Sequence, residues 1–237
     1  MKLLFNIILF LSLGCLEVSL AQVRGIKRKV LHYQQHDSKA IHFGFCVGLN
    51  VMDFAVTHSQ KNYSVDSLLG SVTQLSPGFH IQGVSAARLT DNLELRFLPG
   101  ISFGDRVLSF YKGNKLYEMP QTLESTYITM PLLLKYKSNR VNNYRPFMVG
   151  GLNPRFDLAN TYREDDDIYM DLKLFDLCYE FGGGFDFYFP FFKLSVELRG
   201  SWGLLNVLNH RESRRPEFQN AIEKLRSSIY MISIYIE

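Results

Sequence analysis

Three cysteines in 237 residues are too few for a disulfide-stapled scaffold. One Trp stands beside 19 Phe and 13 Tyr, so aromatic surface is plentiful but comes from two residue types. Charge nearly cancels, with 26 Lys and Arg against 23 Asp and Glu for a net +3. That balance gives no basic footprint, and no nucleic-acid partner is expected. After Ala21 no uninterrupted apolar run approaches the ~20 residues of a membrane helix, which excludes a helical inner-membrane protein. The GxSxG, HExxH and P-loop patterns are all missing. With 46% hydrophobic residues the chain is too apolar to be disordered and long enough for one sizeable domain.

Residues 1–21 read as a secretory signal peptide. Lys2 supplies a basic start, Leu3 to Leu13 is almost continuously apolar, and Ser19-Leu20-Ala21 puts small residues where signal peptidase reads. The run is too short to span a bilayer, and Ser12-Leu13-Gly14 before Cys15 departs from the usual lipoprotein order. The mature chain is expected to begin at Gln22 and to be exported. Residues 22–40 then form a polar, basic N-terminal extension, with Arg24, Lys27, Arg28 and Lys29 followed by Gln34, Gln35, His36 and Asp37. A solvated tail is the plainer reading, and docking to an acidic partner or to lipid headgroups the other.

From residue 41 the dominant period is two, the mark of strands with unlike faces. Over 41–54, Ile41, Phe43, Phe45, Val47, Leu49 and Val51 oppose His42, Gly44, Cys46, Gly48 and Asn50. The same contrast runs through 92–103, 174–189 and 192–204, where Leu194, Val196, Leu198 and Trp202 oppose Lys193, Ser195, Glu197, Arg199 and Ser201. Weaker alternation over 76–89, 124–137, 144–158 and 227–237 brings the total to eight strands. Most are long enough to cross a membrane at a tilt. One short helix is expected near Phe218–Leu225, inside a connection.

Connections alternate in length. Those at 89–92, 137–143 and 189–191 are short, and those at 55–75, 104–122, 159–172 and 205–226 are long. The pattern predicts an all-β fold, an eight-stranded antiparallel up-and-down transmembrane β-barrel over 41–237. Its short turns would face the periplasm and its long loops the outside. A soluble lipocalin-like barrel has the same alternation with its faces reversed. The heavy Phe, Tyr, Leu and Ile content along whole strands favours lipid, as do the small residues Gly44, Gly48, Gly182 and Gly184 on the polar faces. Tyr127, Tyr136, Tyr144, Tyr188 and Tyr230 fall near strand ends and are expected in interfacial girdles.

Eight strands leave an interior that side chains fill, so a general porin is not expected. The polar faces would bring Arg96, Lys135, Arg155, Lys193 and Arg199 inward against Glu94, Asp157, Asp176, Glu180, Asp186 and Glu197. Five positive and six negative charges point to a structural ion-pair network in the lumen; a gated polar path is the lesser alternative. Cys46 and Cys178 also lie on polar faces. Export would allow a disulfide between them, but their spacing does not set the distance.

No catalytic, cofactor-binding or metal site is expected, and no small-molecule substrate. His58 next to Ser59 and His210 near Ser213 are loop neighbours of a kind common by chance. Glu164-Asp165-Asp166-Asp167 lacks the alternate spacing and Gly of a calcium loop. The apolar loop residues Leu68, Leu69, Val107, Leu108, Phe110, Leu205, Val207 and Leu208 fit either a partner contact or a cover over the barrel mouth.

Several blocks, taken in order, resemble the PorT family of Bacteroidetes outer-membrane barrels. They are Ile41–Phe54, Leu75-Ser-Pro-Gly-Phe79, Leu95–Gly104, Pro131–Lys137, Arg145-Pro-Phe-Met-Val-Gly-Gly151, Phe185–Pro190 and Ser195–Arg199. The likeness covers about residues 39–237. It implies a place in the outer membrane and in the type IX secretion system. That system exports proteins bearing a C-terminal sorting domain and serves gliding motility in some species. The implied partners are outer-membrane lipid and other secretion-system proteins, and no catalytic residue is carried over. A free-standing small barrel that stabilises the envelope or binds a surface ligand is the alternative.

Overall fold

The computed structural model describes residues 31–33, 39–58, 68–112, 115–116, 121–158, 172–208 and 222–237. The signal-peptide segment, most of the basic extension, Ser59, His210, Ser213 and the acidic run at 164–167 lie outside the described residues.

The chain forms antiparallel strands β1 (Ile41–His58), β2 (Leu68–Leu75), β3 (Pro77–Arg88), β4 (Leu93–Phe97), β5 (Gly100–Lys112), β6 (Lys115–Leu116), β7 (Gln121–Thr129), β8 (Leu132–Lys137), β9 (Tyr144–Asp157), β10 (Phe175–Tyr188), β11 (Lys193–Gly203) and β12 (Ile222–Ile236). Three pairs are single staves with a flaw. Ser76 separates β2 from β3, Leu98-Pro99 separates β4 from β5, and Met130-Pro131 separates β7 from β8. Proline has no N–H to give the ladder, so a stave breaks there while its carbonyls still accept. Gly83 N donates to Pro99 O at 2.8 Å, and Leu98 N to Pro131 O at 3.0 Å.

Joined this way, the strands make eight staves that close on themselves through β1–β12 and β9–β10. The register can be followed once round. It runs Asp186–Ser195–Tyr235–Cys46–Gln82–Gly100–Thr129–Arg155 and comes back to β10 at Asp176. The stagger is therefore ten residues. With strands ~4.8 Å apart and ~3.3 Å per residue, it corresponds to a tilt of roughly 40°, within the range that closes small barrels.

Strand parity then divides the side chains. Phe43 (72% exposed), Leu49, Phe181 and Leu198 (62%) point outward with the rest of the apolar faces, while Glu94, Arg96, Lys135, Asp186 and Glu197 point inward at 0%. The polar faces are the core and the apolar faces the surface, the inverse of a soluble barrel. No helix among the described residues is long and apolar enough to cross a membrane. The short turns after β3, β8 and β10 lie at one end, and the strand ends joined by the four long connections at the other.

The structure departs from the sequence reading in three places. Residues 222–225, expected at the end of a helix, open β12 and pair with β1 (His58↔Ile222, Val56↔Leu225). Strands β1, β2, β5 and β12 also run well into the segments expected as long loops, and β6 lies wholly inside one. Toward the long-connection end the outward faces turn polar, with Asp105 and Glu124 on β5 and β7 and Ser228, Arg226 and Lys224 on β12, so pairing continues where hydrophobic contrast has faded. Tyr136, Tyr144 and Tyr230 face outward, but Tyr127 and Tyr188, each 4% exposed, face the lumen. Parity outweighs position along the strand.

The belt sets a graded cost for charge on the lipid face. Leu198→Arg near mid-belt should lower folding free energy in phospholipid vesicles by roughly 2–4 kcal/mol, and Leu204→Arg at the outer edge by roughly 0–1 kcal/mol, measured by urea titration. Equal costs at the two positions would contradict this placement of the belt.

Candidate functional site: the barrel lumen

Buried charges need partners, and inside the barrel they find each other in tiers. At the short-turn end Arg96 donates from Nε to Glu94 at 2.9 Å and from Nη2 to Glu237 at 2.5 Å. Lys137 Nζ also reaches Glu94 (2.7 Å), and Lys193 Nζ reaches Glu237 (2.8 Å). Lys135 Nζ donates to both oxygens of Asp186 at 2.7 and 2.8 Å and sits 3.6 Å over the Phe147 ring. Ser195 Oγ completes the Asp186 shell at 2.5 Å.

In the middle tier Arg199 lies between Glu180 (3.3 Å) and Glu197 (3.5 Å), and its Nη2 donates to Gln82 at 3.2 Å. Asn153 donates to Glu180 at 2.6 Å, and the Tyr235 hydroxyl to Glu197 at 2.8 Å. Toward the outer end Arg155 pairs with Asp176 at 3.4 Å. Asp157 is buried beside them at 1% exposed. All eleven charged residues named from sequence are thus in the lumen, none more than 3% exposed.

Apolar layers fill the gaps between charges. Cys46, Val84, Leu98, Leu133 and Tyr235 form one inside the barrel, and Met52, Tyr127, Ile229 and Met231 another. Leu98 and Leu133 belong to the two staves broken by proline. Glycines admit the largest groups: a Cβ on Gly184 would sit 2.9 Å from the Phe147 ring, and one on Gly48 2.7 Å from His80 Nε2.

Several members of the network were not singled out from sequence. Glu237 is a hub, facing in with Ser233 and Tyr235, and the every-second-residue phase of β12 carries that signal. Lys137 shares the phase of Lys135. Arg106 fell in a segment read as loop. It is 0% exposed, donates to the Tyr127 hydroxyl and to Ser227 Oγ, both at 2.9 Å, and stacks 4.1 Å over Phe54. Val207 and Leu208 are buried, and Leu208 bridges to Leu172, so this part of the last long connection covers the barrel rather than projecting.

Cys46 and Cys178 are both buried and both free. No disulfide joins them, because the ladder puts them on different walls. Round the ring they are three staves and eight residues apart one way, five staves and two residues the other. Each separation far exceeds the ~7 Å Cα limit for a bridge. Cys46 Sγ lies 3.9 Å from His80 Nε2, whereas Cys178 touches Arg155 and donates to Asp176 at 3.1 Å.

Ligand atoms of His42, Glu94 and Glu237 lie within 4.8 Å of one another, as a metal site would need. Arg96, Lys137 and Lys193 already occupy those two carboxylates. A further cation would enter a field made positive for it, so the cluster reads as ion pairing rather than ligation.

Pairing inside the lumen should show as coupling. Lys135→Met strands the buried Asp186 carboxylate and is expected to cost about 3 kcal/mol or more, whereas Lys135→Met with Asp186→Leu should cost clearly less than the two single changes added together. Urea unfolding of the refolded barrel in vesicles reads this, and strict additivity would rule the coupling out.

The outer membrane protein beta-barrel domain matches residues 32–209, well over half of the chain. A search of curated proteins finds no match. Among solved structures the chain is similar to Neisserial surface protein A, at 11% identity over 84% of this chain and 99% of that one, with a TM-score of 0.45. It is also similar to OprG of Pseudomonas aeruginosa (13% identity, 83% and 94%, TM-score 0.43) and to AlkL, solved in DMPC bilayers (10% identity, 90% and 94%, TM-score 0.40). Closed register, inverted faces and the domain match agree: this chain belongs to the outer membrane protein beta-barrel domain family and is a small β-barrel of the outer membrane.

Proposed function

We propose that this barrel is an accessory component of the type IX secretion system, needed for export of sorting-domain proteins, and that it acts by assembly or scaffolding rather than as the conduit. The observation that carries the second half is the filled lumen. Arg96, Lys135, Glu94, Asp186 and Glu197 are each 0% exposed, and the lumenal network pairs Arg96 with Glu94 and Glu197 and Lys135 with Asp186. A folded protein could pass only if that network and the eight-stranded ring came apart. The secretion role itself is supported by the resemblance of the blocks from Ile41 to Arg199 to the PorT family. Export through a cleaved signal peptide at 1–21 belongs to the same reading, as do contacts with other secretion-system proteins and a part in gliding where the species glides. The protein is not an enzyme in this reading, since its lumenal carboxylates are engaged by cations and hydroxyls.

The test is a clean deletion in the native organism, with mass spectrometry of medium and periplasm. Sorting-domain proteins should vanish from the medium and accumulate in the periplasm. Unchanged secretion with a leaky envelope or a lost surface ligand would replace this reading with that of a free-standing barrel. The purified protein should also carry no steady current in a planar bilayer; sustained conductance would overturn the non-conduit role.

A further inference from the structure

The outward faces of β10, β11 and β12 meet at the outer edge of the apolar belt. There Tyr179 and Trp202 are in register, and Trp202 is in register with Ser228, two residues from Tyr230. The Trp202 indole stacks on Tyr179 (centroids 5.3 Å apart, 26° between planes) and meets the Tyr230 ring edge-on (6.2 Å, 85°). It lies flat because Gly200 beneath it has no side chain; a Cβ there would fall 2.7 Å from Cζ2. The Tyr179 and Trp202 rings make a plate against the wall, with the Tyr230 ring standing on edge beside it.

Just outward of the plate the same face turns basic. Arg226 is two residues beyond Ser228 on β12, roughly 7 Å along the strand, and Lys224 follows two residues later. Both are exposed. The neighbouring carboxylate on β1 is Asp53, in register with Ser228, whose Oδ1 accepts from Phe54 N at 2.7 Å. Across the rim the outward face is acidic instead, with exposed Asp105 and Glu124 registered opposite each other on β5 and β7. Among the described residues, the β12 side of the rim thus presents cations and the β5–β7 side carboxylates.

We propose that the Trp202 plate with Arg226 and Lys224 is a binding site for a phosphorylated glycolipid of the outer leaflet. An aromatic plate accepts the apolar face of a sugar ring at the level where acyl chains end. A guanidinium one sugar-length further out pairs with its phosphate in fork geometry. Continuity with the lipid-facing belt supplies the acyl-chain surface. The site depends on the outer-membrane placement and is independent of the secretion role.

Trp202 is the chain's single Trp, so its fluorescence reports the site directly. The barrel would be placed in phosphatidylcholine nanodiscs carrying lipid A or its dephosphorylated form, with heat-shifted gel mobility confirming that each variant is folded. Phosphorylated lipid A should give a saturable change in Trp202 emission, and the Lys224→Gln/Arg226→Gln protein should need roughly tenfold more lipid A or beyond for the same change. If the dephosphorylated form acts equally, or the double variant responds like the parent, the plate is only an interfacial aromatic anchor and the site does not exist.

Discussion

Eight staves that close ten residues out of step leave an interior about two side chains across, and nearly everything else in this protein follows from that width. The inward faces cannot be solvated, yet they carry arginines, lysines and carboxylates. Most of these charges meet an opposite one across the lumen or along the wall, while Arg106 is held by two hydroxyls and the Phe54 ring. Arg96 shows how far this goes: it bridges Glu94 on its own stave and Glu237 on another, and lies 5.2 Å from the Tyr235 ring centroid. The charges are not ornaments of a pore but the packing material of a core built without a dry centre.

Apolar groups fill what ion pairs cannot. Leu98 and Leu133 are fully buried beside the two proline breaks, and Val84 and Tyr235 close the layer around them. A broken ladder thus sits against one of the tightest parts of the interior. The backbone groups freed by Pro99 and Pro131 still find partners across the gap, which lets two adjacent staves bend without exposing unpaired amides.

Much of this was legible in the sequence, for a physical reason. Where one face of a strand meets lipid and the other a packed lumen, alternation is strong, and β1, β10 and β11 announce themselves residue by residue. The eleven lumenal charges follow from the same parity. Legibility ends where the two faces converge in composition. Toward the long-connection end the outward faces of β5, β7 and β12 turn polar, with Asp105, Glu124, Ser228, Arg226 and Lys224, while inward Arg106, Leu225 and Ser227 stay buried, so these segments read as loop or helix. Tyr127 and Tyr188 went astray because nearness to a strand end suggested a girdle, while their phase placed them inside. Arg106 was hidden by the same convergence. The separation of Cys46 from Cys178 depends on the stagger, which no single strand encodes.

The seam that completes the ring joins β1 to β12, the first and last strands, in a ladder running from Phe45↔Ile236 to His58↔Ile222. Contacts so remote in sequence are the slowest to form, and until they form both strands carry open edges. Because Arg96 and Lys193 find Glu237 only once β12 is seated, the interior neutralises its charge at the same step that closes the wall. Assembly of the barrel in the membrane is therefore expected to be all-or-none, with no half-built state that is both closed and electrically at rest.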